Sequence, residues 1–69
     1  MMTQEQYNQM WDRYNRSMEE ARSYQQETDR RYNETQDWEE YNERMEMNRQ
    51  MRANASRQME RETNRAYAQ

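Results

Sequence analysis

Leu, Ile, Val, Phe, Lys, Gly, Pro, His and Cys are all absent from these 69 residues. Each absence excludes something. Without His or Cys, the common zinc sites, thiolate nucleophiles and imidazole acid–base chemistry are out of reach, and no disulfide can form. Without Leu, Ile, Val or Phe, the usual filling of a core is missing. Apolar residues make up 30 % of the chain, against roughly 45–50 % in ordinary globular domains. Gly and Pro are the strongest punctuation of secondary structure, so the obvious places to turn are missing too. No apolar run reaches five residues, which leaves no signal-peptide core and no membrane span. The sequence reads as soluble, with no compartment indicated.

What remains is eleven residue types. Asn occurs seven times and Lys never, and Met eight times and Ile never, although the codons of each pair are neighbours. Nucleotide bias does not produce both patterns, so the restriction acts on amino acids. It points to an engineered, reduced-alphabet sequence, with a natural small filament or virion subunit as the alternative. Low hydrophobicity with 36 % charged residues is the usual composition of disorder. The net charge of −3 is too small to hold the chain open by self-repulsion. Burial would have to come from Met, Tyr, Trp and Ala. That is too little apolar surface to offset the ordering entropy of a lone chain this short, so order is expected to accompany association.

The pattern is helical. Gln4, Tyr7, Trp11, Tyr14, Met18, Ala21, Gln25, Thr28, Tyr32 and Thr35 are spaced alternately by three and four, and none is charged. Half of the remaining positions between 3 and 36 are charged. The stripe continues through Trp38, Tyr41 and Met45, then loosens into Met51, Ala55, Met59 and Ala66. This is the 3.5-residue period of helices packed on helices. Trp38, Tyr41 and Met45 cover the seam that Leu normally fills, and Gln or Thr on it can hydrogen-bond across. Tyr7, Trp11, Tyr14, Met18, Ala21, Gln25, Thr28, Tyr32, Thr35, Trp38, Tyr41 and Met45 are therefore the expected oligomer interface. The expected fold is all-α, with residues 1–69 forming a single helical segment. It would be one long amphipathic helix, or a two-helix hairpin, in an oligomeric coiled-coil-like bundle or helical assembly. Thr3 with Gln6 makes a capping box. Asn33, Thr35 and Asp37 mark a possible break near 33–37, and Asn54 and Ser56 another near 54–56. The stripe crosses 32–35 without a phase slip, which favours the uninterrupted helix.

Chemistry-bearing clusters are sparse, and each has a plainer explanation. Glu19–Glu20 and Glu39–Glu40 are sequence neighbours that a helix points about 100° apart, with no dry pocket to shift their pKa. Met45, Met47 and Met51 offer soft thioethers, but Met45 points away from Met47, so adaptable interface filling accounts for them. Arg49, Arg52, Arg57, Arg61 and Arg65 could meet phosphate, yet the chain's pI is near 5.0. Their plainer role is pairing with carboxylates. Three Asn-x-Ser/Thr sequons are short enough to be chance. The aromatic ladder could also dock a partner helix. A membrane surface fits it poorly, because the polar face is acidic through residue 47 and not basic. No catalytic activity, metal or cofactor is expected, and neither nucleic acid nor membrane is an expected partner. Residues 1–47 carry −6 and residues 48–69 carry +3. The expected partner is another copy, antiparallel or head-to-tail.

Overall fold

The computed structural model describes residues 1–68. Two helices, α1 (Gln4–Thr35) and α2 (Trp38–Ala68), pack against each other as an antiparallel hairpin. Of the two arrangements the period allowed, the chain adopts the hairpin, and a continuous helix through residues 33–37 does not form. Near 54–56, by contrast, α2 runs on uninterrupted.

At its start, Thr3 and Gln6 exchange hydrogen bonds. The Gln6 amide donates to Thr3 Oγ1 at 3.1 Å, and the Thr3 amide donates to Gln6 Oε1 at 3.0 Å. This reciprocal box satisfies two orphan donors of the first turn. The reversal at residues 36–37 needs no glycine, because Gln36 itself takes the left-handed conformation (φ 56°, ψ 25°). Its backbone amide and its side-chain amide both donate to the Tyr32 carbonyl, at 2.8 and 3.1 Å. The Asp37 amide donates to Thr35 Oγ1 at 3.1 Å. Asp37 Oδ1 then accepts from the Glu40 amide at 3.1 Å, capping α2. Arg31 and Glu40 close the turn with two hydrogen bonds, at 2.5 and 3.0 Å. Local hydrogen bonds thus do the work that Gly normally does in a helical hairpin.

The result is a thin ribbon, 50 × 17 × 6 Å between Cα extremes. Among the described residues, Met10, Ala21 and Ala55 are the buried apolar side chains, and Thr28 and Asn48 the buried polar ones. With two helices side by side, nothing covers the ribbon's broad faces. No helix in the described residues is long and apolar enough to cross a membrane.

Candidate self-association surface

The seam between α1 and α2 is mostly polar. Asn48 Nδ2 donates to the Ala21 carbonyl at 2.6 Å, and Asn48 Oδ1 accepts from Arg52 Nε at 3.1 Å. Arg52 reaches on to Gln25 Oε1 at 2.9 Å. Thr28 Oγ1 donates to the Tyr24 carbonyl at 2.8 Å and accepts from Arg44 Nε at 3.0 Å. Arg44 also lies 4.2 Å above the centre of the Tyr24 ring, a cation–π contact. Towards the open end, Thr63 Oγ1 lies 3.3 Å from the Met10 sulfur and donates to the Met59 carbonyl at 2.9 Å. Small side chains at Ala21 and Ala55 let the backbones approach, so a single Asn reaches across.

Successive residues on a helix turn by about 100°, so the two sides of this seam differ. On one side lie Arg13 paired with Glu62 at 2.8 Å, Arg31 paired with Glu40, and Arg44 over Tyr24. Hydrogen bonding to Arg31 holds the Glu40 carboxyl below its ordinary value, and Glu40 raises Arg31. Glu62 likewise raises Arg13 through its hydrogen bond. This flank is ionic.

The other flank is aromatic. At the open end Tyr7, Trp11 and Tyr14 run edge to face, with centroids 6.2 and 5.6 Å apart. At the turn end Tyr32, Trp38 and Tyr41 form a cluster, Trp38 stacking on Tyr41 at 5.5 Å and Tyr32 lying 5.0 Å from Tyr41. Met18 and Gln25 lie between the two groups on α1, and Met45 on α2. Beside Tyr7 and Trp11, Met59, Thr63 and Tyr67 help line an open cleft of about 490 Å³. Trp11 Nε1 is buried without a hydrogen-bond partner. The chain matches no protein-family model, no curated protein and no solved structure. Geometry alone therefore has to say what this surface is for.

The twelve residues expected at an oligomer interface are distributed as follows. Ala21 and Thr28 are buried within the hairpin's own seam. Trp11, Tyr14, Met18, Gln25, Tyr32, Tyr41 and Met45 are half-buried along its edge. Tyr7, Trp38 and Thr35 are exposed, Trp38 at 60 % and Tyr7 at 46 %. The stripe is therefore split: its inner edge joins α1 to α2, and its outer edge is left half-buried or exposed. Sequence reasoning left Met10, Arg44, Asn48 and Arg52 off the stripe, although all four lie in the intramolecular seam. Charged and amide side chains carry no hydrophobic signal, and Met10 sits one residue from the more conspicuous Trp11. Met47 and Met51 fall on the ionic side of α2, away from Met45 by helical angle. Among the described residues, no group of three or more carboxylates is arranged to hold a metal ion.

Proposed function

We propose that the chain is a structural helical hairpin that associates with copies of itself through its aromatic flank. One observation carries this reading. Two aromatic groups, Tyr7–Trp11–Tyr14 and Tyr32–Trp38–Tyr41, with Met18 and Met45 between them, lie half-buried or exposed along one flank, while among the described residues only Met10, Ala21 and Ala55 are buried apolar side chains. Tyr, Trp and Met are the residues most enriched where proteins meet. Aromatic rings also give large contact areas at low cost in side-chain entropy. Covering the flank with another hairpin supplies the second layer that a two-helix ribbon lacks. The restricted alphabet fits a designed assembly unit on this reading, one whose activity is assembly and not catalysis.

Size-exclusion chromatography with light scattering, paired with circular dichroism over a hundredfold dilution, tests it. A small fixed oligomer is expected, with helicity falling as it dissociates. Trp38→Ala should weaken association by roughly tenfold or more, as removal of an interface aromatic does. Asp12→Ala, on the opposite side of α1, should leave it within about twofold. A fully helical monomer at every concentration would show that the flank serves another purpose.

A further inference from the structure

The hairpin separates charge along its length. The turn half, residues 25–47, holds eight acids against three arginines, a net of −5. The open half, residues 1–24 with 48–69, holds eight arginines against six acids, a net of +2. In the linear sequence the contrast lies between a body and a tail. Folding converts it into a rod with an acidic tip and a basic base. The aromatic groups are divided the same way, Tyr7–Trp11–Tyr14 at the base and Tyr32–Trp38–Tyr41 at the tip.

We infer that two hairpins pair face to face and antiparallel, the acidic turn end of each lying over the basic open end of the other. The inference rests on the self-association proposed above and adds the orientation. Two ribbons stacked through the same face are related by a twofold axis in the plane between them. An axis along the ribbon lays turn upon turn and places −5 over −5. An axis across the ribbon lays turn upon base, placing −5 over +2, and brings α1 onto the partner's α1. Like charges held close cost free energy, and opposite charges steer and orient. The antiparallel axis also exchanges the two aromatic groups. With its centre between residues 21 and 22, Trp11 faces the partner's Tyr32, and Met18 faces the partner's Gln25. The contact is isologous, so it closes at two copies and does not propagate. The broad face, 50 by 17 Å, matches the roughly 800 Å² per partner that a standard stable interface buries.

The absence of native cysteine makes single-site spin labelling direct. Asn33 near the turn and Asn64 near the open end are both exposed, and Asn33→Cys and Asn64→Cys place one nitroxide each on the full chain. Pulsed dipolar spectroscopy reads the distance between labels of two copies, and light scattering on the same samples gives the mass. In the antiparallel pair the labels should lie about 35 Å apart at position 33 and about 40 Å apart at position 64, from 1.5 Å of rise per residue. A dimeric mass with distances below about 20 Å at both sites, given helices spaced 8–10 Å apart, would overturn the orientation and leave self-association standing. A monomeric mass without dipolar coupling would overturn both. A mass growing with concentration beyond the dimer would overturn the closed pair in favour of a head-to-tail array.

Discussion

Asn48 occupies the place that Leu takes in an ordinary helical pair. It is buried, yet its amide nitrogen finds the Ala21 carbonyl and its oxygen finds Arg52, so little of its polarity is left unpaired. A buried Asn in a helical seam fixes register at some cost in stability. Here it pins residue 21 of α1 against residue 48 of α2. Asn48→Ala should destabilise the hairpin by about 1–3 kcal/mol, because the Arg52 and Gln25 contacts lose their anchor inside the seam. Urea unfolding followed by circular dichroism measures this, and a loss under about 0.5 kcal/mol would place the register elsewhere. Part of this chemistry was legible beforehand. The period placed Gln25 and Thr28 on the seam as hydrogen-bonding residues, and both accept from arginines of α2. The arginines themselves were not legible, since a charged residue on a helix ordinarily signals a solvated face.

At the scale of the element, the decisive feature is the two-residue turn. A left-handed residue other than Gly costs about 1–2 kcal/mol. Gln36 sustains it with two hydrogen bonds to the Tyr32 carbonyl, while Asp37 caps the following helix. Gln36→Gly relieves the backbone but also removes the side-chain bond to the Tyr32 carbonyl, so stability should rise by no more than about 0.5 kcal/mol. Asp37→Ala should lower it by about 1 kcal/mol through the lost cap. Thermal and urea denaturation of the two variants checks both signs. Opposite signs would mean that the hairpin reverses by other means. The capping residues stood in the sequence, but the unbroken stripe argued for carrying the helix straight through. The stripe is in phase through Thr35, which fits a straight helix. But Tyr32, Thr35, Trp38 and Tyr41 follow one another by three steps of three, a one-residue slip that falls at the turn. The hairpin brings Tyr32, Trp38 and Tyr41 together at one end.

For the whole molecule, the bipolar charge is the property with consequences. If opposite ends attract across an antiparallel pair, association weakens as salt shortens the Debye length from ~10 Å at 0.1 M to ~3 Å at 1 M. Burial of the aromatic flank does not weaken under the same change. Sedimentation equilibrium across that range should show the dissociation constant rising severalfold with NaCl. Equal affinity at both ends would mean that the aromatic flank alone sets the orientation. Pairs within one hairpin, such as Arg13–Glu62 and Arg31–Glu40, are partly exposed and contribute modestly to its stability. The salt response therefore reports chiefly on the contact between copies.

Helicity, the apolar stripe and the capped start at Thr3 were determined by sequence alone, because each depends on residues within one or two turns of each other. The 3.5-residue period needs no knowledge of what the stripe faces. Which edge of that stripe turns inward was decided only by the tertiary structure. Ala21 and Ala55 allow close approach, and Asn48, Arg44 and Arg52 reach across from α2 to hold it. Those partners are 16 to 27 residues apart in the chain, beyond the reach of any local pattern. Once they are joined, Ala21 and Thr28 are covered and Tyr7 and Trp38 are left at the surface, because a ribbon two helices wide can enclose one edge of its stripe and not the other.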